Sequence, residues 1–195
     1  MSQRNSSVDL ASFLPCHSTH IQDLLAPITT VKYLPFPGGL HLSGNEGSFS
    51  IHSYKAPHNP HKVLDLFATG TVRELHLPVD YQDISPALGR LPTLEALVIY
   101  DGHLSPNSLS ILAKEPVLCL SLKTIAFLDC GITPDAVNVL ERILAKRERS
   151  TAAWLHRVVI VNHARGLPKN YSISQLQRLV PRVNVAAGDK LPDLL

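Results

Sequence analysis

Ten histidines and three cysteines are the residues of this chain best suited to hold a metal or to run nucleophilic chemistry. Two histidine pairs, His17 with His20 and His58 with His61, have the H-x-x-H spacing that can place two imidazoles on one ion. A zinc site needs further ligands, and neither pair is accompanied by an HExxH or a Cys-rich set. Both pairs fall in stretches that read as loops or as a helix start, so no metal site is expected. Cys130 with His156 or His163 is the nucleophile-and-base combination to weigh. Cys130, however, occupies a position in a recurring pattern where a small side chain packs a turn, which favours burial over reactivity. The G-x-S-x-G, G-x-x-x-x-G-K-S/T and G-x-G-x-x-G signatures are missing from the sequence. The chain is expected to be non-catalytic, with no catalytic residue, no cofactor and no metal.

Composition narrows the function classes further. The 195 residues are 45% hydrophobic and 17% charged, the balance of a folded chain about one domain long. A formal net charge of +2 makes no electrostatic case for nucleic acid or an acidic membrane, and neither is expected as a partner. The one dense basic run, Lys146-Arg147-Glu148-Arg149, ends a helical pattern and suits the negative end of its dipole. Cys16, Cys119 and Cys130 form no CxxC pair and leave one over from any disulfide, which fits a reducing compartment. The first residues hold no uninterrupted apolar run of the secretory kind, and no segment nears the ~18 apolar residues of a membrane span. An intracellular location, cytoplasmic or nuclear, is expected.

The elements that would position any site can be read from periodicity. Residues 1–30 form a polar, partly mobile segment with a short helix over His20–Ala26 before Pro27. Between 38 and 53 the period is two, with Leu40 and Leu42, then Phe49 and Ile51, flanking Gly44-Asn45-Glu46-Gly47; this predicts a β-hairpin. Its GxxG carries Glu46 where a phosphate cradle would want Lys or Arg. Lys62–Ala68 reads as a short helix.

From about residue 72 apolar triplets recur: Val72/Leu75/Leu77, Leu94/Leu97/Ile99, Leu122/Ile125/Phe127 and, more loosely, Leu155/Val158/Ile160. By subtraction their starts are 22, 28 and 33 residues apart. The first two intervals lie within the ~20–29 residues of a leucine-rich repeat, and the third needs an insertion. Asp80, Gly102 and Cys130 follow, where each unit should turn off its strand. Then come Ile84-Ser85-Pro86, Leu104-Ser105-Pro106 and Ile132-Thr133-Pro134, each an apolar residue, a hydroxyl N-cap and a Pro at the first helical position. Val137, Leu140, Ile143 and Leu144 give the third helix an apolar face. From about 154 the chain reads as a cap, with a fourth strand over His156–Val161, a short helix over Ser172–Val180 and a last strand at Val183–Ala186.

Four stretches carry a family resemblance: His41–Tyr54 (HLSGNEGSFSIHSY), Val63–Leu77 (VLDLFATGTVRELHL), Leu122–Thr133 (LKTIAFLDCGIT) and Trp154–Val161 (WLHRVVIV). Together they resemble the C-terminal repeat region of the F-box/leucine-rich-repeat-like proteins abundant in mushroom-forming fungi, over about residues 30–195. The fold implied is α/β: a short leucine-rich-repeat solenoid of the ribonuclease-inhibitor type over 31–195, with parallel strands, outer helices, an N-terminal hairpin and a C-terminal cap. In that family an N-terminal F-box binds the adaptor of a cullin-type ubiquitin ligase and the repeats hold a client. Residues 1–30 carry no F-box of the L-P-x-E type, since Leu14-Pro15 is followed by Cys16-His17. The resemblance therefore implies a protein–protein interaction module, the client-binding part of such a receptor, with the ligase adaptor as partner only where an F-box lies upstream. The other reading is a truncated or structural repeat protein with no ligase role.

Strand alternation places the partner-binding face. Triplet residues point to the core and those between them to the concave side. That side collects Glu74, His76 and Pro78, then Ala96, Val98 and Tyr100, then Thr124, Ala126 and Leu128, then Arg157, Val159 and Val161. One edge is polar (Glu74, Thr124, Arg157) and the rest apolar, with Tyr100 as the natural anchor of an interface. The competing reading is that these strands are buried on both faces and are apolar for that reason alone.

Overall fold

The computed structural model describes residues 25–34, 39–45, 47–52, 71–78, 88–89, 91–104, 119–148, 155–161, 174, 176–178 and 180–186. Strands are β1 (Ile28–Leu34), β2 (Gly39–Gly44), β3 (Gly47–His52), β4 (Glu74–Pro78), β5 (Ala96–Leu104), β6 (Thr124–Ile132), β7 (Arg157–Val161) and β8 (Arg182–Ala186). A helix, α1 (Pro134–Glu148), lies between β6 and β7 in the chain. The eight strands form one sheet in the order β3-β2-β1-β4-β5-β6-β7-β8. β1 pairs parallel with β4, and each strand from β4 to β8 pairs parallel with the next. β2 and β3 form the expected hairpin and add antiparallel to the free side of β1. The protein is thus α/β, with a mostly parallel sheet.

The triplets explain the register. Val31, Leu75, Leu97, Ile125, Val158 and Val183 stand side by side across the six parallel strands. Ile28, Val72, Leu94, Leu122, Leu155 and Val180 precede them by three residues and are all buried. Sequence periodicity therefore found the middle four triplets and missed those at the ends, Ile28/Val31/Tyr33 and Val180/Val183/Val185. α1 buries Ala136, Val137, Leu140, Ile143 and Leu144 in the same core as the triplets. Burying an aliphatic or phenyl side chain of this kind stabilises by roughly 1.5–3 kcal/mol.

A backbone relay just ahead of the strands fixes their stagger. The carbonyl of Arg73 accepts the N–H groups of Glu95 and Ala96, at 2.8 and 2.9 Å. The Glu95 carbonyl accepts those of Lys123 and Thr124, at 2.9 and 3.0 Å, and the Lys123 carbonyl those of His156 and Arg157, at 2.8 and 3.1 Å. The His156 carbonyl receives the N–H of Arg182 at 3.2 Å, and the preceding residue, Pro181, has no N–H to add.

Local chemistry sets the ends of α1. The Thr133 hydroxyl accepts the N–H of Ala136 at 3.2 Å, Pro134 opens the helix, and Asp135 lies in the positive first turn. Ser85-Pro86 and Ser105-Pro106, the other two caps of this kind, lie outside the described residues, as do Asp80 and the Lys62–Ala68 helix.

One expectation needs correction. β5 and β6 do not end at Gly102 and Cys130 but run on to Leu104 and Ile132. There Asp129 and Gly102 have φ of 53° and 150°, and the pairing steps from Tyr100↔Leu128 to Gly102↔Cys130 without a change of register. Arg147 ends α1 as expected, and its side chain is buried. It is 1% exposed, and its Nη2 donates to the carbonyls of Cys119 at 2.9 Å and Leu122 at 3.3 Å, tying α1 to the turn before β6. A buried guanidinium needs acceptors, and the turn supplies them.

Candidate functional site

The register brings all ten residues expected to bind a partner onto one side of the sheet. Glu74, Thr124 and Arg157 align at its polar edge; His76, Val98, Ala126 and Val159 form the next row, and Tyr100, Leu128 and Val161 the one after. The centre of this face is closed. Ala96, Val98, Ala126, Val159 and Val161 form a second apolar cluster with no exposed surface, against which the half-buried Leu128 packs. Tyr100 is 4% exposed. An open apolar patch anchored on Tyr100 is therefore not what the protein presents; these strands are covered on both faces.

At the polar edge Glu74 and Arg157 are half-buried and Thr124 is buried. Thr124 and Arg157 line a cleft of about 520 Å³ together with Glu95, Lys123, His156, Pro181 and Arg182. Glu95 sits between two cations. Arg73 donates to its Oε1 through Nε at 2.7 Å and also through Nη2, and Lys123 Nζ donates to Oε2 at 2.9 Å. The hydrogen bond from Lys123, then that from Arg73, holds the Glu95 carboxyl below its usual range. Arg157 Nε donates to Asn184 Oδ1 at 3.0 Å, a link from β7 to β8 that fixes the guanidinium at the rim.

Sequence reasoning named Thr124 and Arg157 for this side, weighed His156 only as a base for Cys130, and missed Glu95, Lys123 and Arg182. A signal for Glu95, Lys123 and His156 was present. Arg73, Glu95, Lys123, His156 and Pro181 each directly follow the first residue of a triplet, so the parallel register gathers them into one row.

The remaining chemical candidates resolve by position. Cys130 Sγ donates to the Ile99 carbonyl at 3.3 Å and is fully buried. His156 is level with Lys123, seven residues before Cys130 along the strand direction, which separates the two by about 20 Å. Cys130 and His156 are therefore not a catalytic pair, and His163 lies outside the described residues. Cys119 donates to the Leu88 carbonyl at 3.3 Å, and burial pushes its thiol up to about 12. His76 Nε2 meets Glu74 Oε1 at 2.5 Å, a base-and-orienter arrangement. Its neighbours in register are Lys32 and Val98, so no hydroxyl or thiol stands beside it across the sheet. Both H-x-x-H pairs lie outside the described residues, and among those residues no group of three His, Cys, Asp or Glu gathers to hold a metal. No described helix is long and apolar enough to cross a membrane.

Compared with known proteins, the chain matches no family model and no curated sequence.

Proposed function

We propose that this protein is a leucine-rich-repeat-type solenoid acting as a non-catalytic protein-binding module, and that it meets its partner at the rim where the parallel strands begin. The observation that carries the reading is the cleft there, lined by charged side chains from neighbouring strands beside an apolar face that is closed. Six triplets in register and a recurring carbonyl relay support the repeat architecture, since units of this kind bury their apolar faces only against one another. The free thiols of Cys119 and Cys130 suit a reducing cytoplasmic or nuclear setting. The family resemblance extends the reading to the client-binding part of an F-box-type ubiquitin-ligase receptor. A second reading, a structural repeat protein without a client, draws support from the burial of both sheet faces.

Affinity purification with mass spectrometry separates these readings. Wild type is run beside a Lys123→Glu, Arg157→Glu, Arg182→Glu variant, with circular dichroism confirming that both are folded. A partner held only by wild type supports the rim as the contact surface, and one held equally by both refutes it. Co-purification of adaptor and cullin subunits supports the ligase role. A client recovered without them points to a module outside that system, and no specific partner for either form favours the structural reading.

A further inference from the structure

We infer that the cleft at the start of β6, β7 and β8 is a phosphoryl site that takes a phosphorylated serine or threonine of a partner protein; this rests on the binding-module reading above. Lys123, Arg157 and Arg182 sit at or just before the starts of three adjacent strands. With strands about 4.8 Å apart, the row extends over roughly 10 Å. Lys123, Arg157 and Arg182 against the single carboxylate of Glu95 give the lining a formal charge of +2 from its Lys, Arg and Glu side chains. A phosphoryl group on serine or threonine carries about −1.5 to −2, so the charges match. Glu95 does not stand as a bare opposing charge, because Arg73 and Lys123 engage both of its oxygens.

The arginines favour an anion with paired oxygens, phosphoryl or carboxylate, over a point charge, and the charge match favours phosphoryl. A planar guanidinium fork matches phosphate oxygens two at a time. The Arg182 side chain is exposed and has no partner among the described residues, while Asn184 holds Arg157 in place from the neighbouring strand. Backbone amides do not build this site. The N–H groups of Lys123, Thr124, His156, Arg157 and Arg182 all donate to the preceding strand's relay carbonyl, and Pro181 has none. Recognition therefore falls to side chains, unlike the backbone cradles that hold free nucleotides. At about 520 Å³ the cleft is sized for a ligand larger than one phosphate ion, which favours a phosphorylated segment. Its lining holds no Phe, Tyr or Trp, the broadest platforms for stacking nucleobases.

The test is fluorescence anisotropy on the full chain with four probes: a degenerate peptide pool centred on phosphoserine, the same pool unphosphorylated, inorganic phosphate as competitor, and a single-stranded oligonucleotide. Variants are Arg182→Gln, Arg157→Gln and, as a charge-matched control on the exposed side of α1, Arg142→Gln. The phosphorylated pool should bind wild type, weaken at least about tenfold with either rim variant and stay unchanged with Arg142→Gln. Equal binding of the unphosphorylated pool, still dependent on Arg182, overturns the phosphoryl inference and leaves the module reading standing. Displacement by phosphate at comparable concentration, or tighter binding of the oligonucleotide, overturns the peptide source. No binding of any pool overturns the inference outright, while the affinity purification still judges the module.

Discussion

The guanidinium of Arg147 lies inside the protein with its Nη2 donating to two carbonyls of the turn at 119–122, that of Cys119, which also accepts the Leu122 N–H, and that of Leu122. Arg147→Met keeps the bulk of the side chain but removes the guanidinium donor from both carbonyls, leaving that of Cys119 with only the Leu122 N–H. It should lower stability by about 2–4 kcal/mol, read as an earlier urea midpoint with an unchanged slope. Both Lys146 and Arg147 sit in the last turn, but only Arg147 continues the apolar stripe, three, four and seven residues after Leu144, Ile143 and Leu140, and that period is the signal for which of the two is buried. The same turn holds Cys119 in a left-handed conformation, φ 50°, with its thiol raised from 9.0 to about 12 by burial. A raised thiol stays protonated in the fold while the unfolded chain ionises, so its contribution is full below pH 9 and lost as pH climbs toward 12. The unfolding free energy from urea titrations should fall across that window by up to about 1.4 kcal/mol per pH unit for this group, and Cys119→Ala should flatten the slope. An unchanged slope in the variant would assign the loss to other groups.

Among the elements, the hairpin and the parallel strands were legible because alternation and triplet spacing survive without knowledge of partners. β1 was not. Its register partner, Glu74, lies 44 residues beyond Thr30 by subtraction, and the hairpin is inserted between them. β8 was half legible: Val183–Ala186 reads as a strand, but Val180 was absorbed into a helix pattern and the full triplet went unseen. The junction of hairpin and β1 also depends on one position that composition alone does not flag. A Cβ on Gly44 would come within 1.9 Å of the Pro27 carbonyl oxygen, at the register shift between Ile28 and Thr30. Backbone cannot yield there as a flexible side chain would. Gly44→Ala should cost at least about 2 kcal/mol and shed the hairpin first, seen as faster amide exchange in β2 and β3 than in β5 and β6. A variant with wild-type exchange throughout would show that the bulge absorbs the methyl.

At the scale of the whole molecule, alternation tells which side of a strand a residue takes but not what lies over that side. That is why alternation put these residues on one side of the sheet and left their exposure open. The cleft was hidden for a related reason: Glu95, Lys123, His156 and Arg182 are brought together only by the sum of unequal intervals of 28, 33 and 26 residues. The closed face makes the sharpest whole-molecule prediction. If Val98, Ala126, Val159 and Val161 are core, a carboxylate among them has no water and no partner, and the fold must either expel it or fail. Val159→Asp should then cost more than about 4 kcal/mol, with loss of the cooperative thermal transition, while Val159→Ala should cost about 1–3 kcal/mol and leave the transition intact. A Val159→Asp protein that melts like wild type would mean this face opens in solution, which would return Tyr100 and Leu128 to the partner surface and move the binding site from the rim to the sheet.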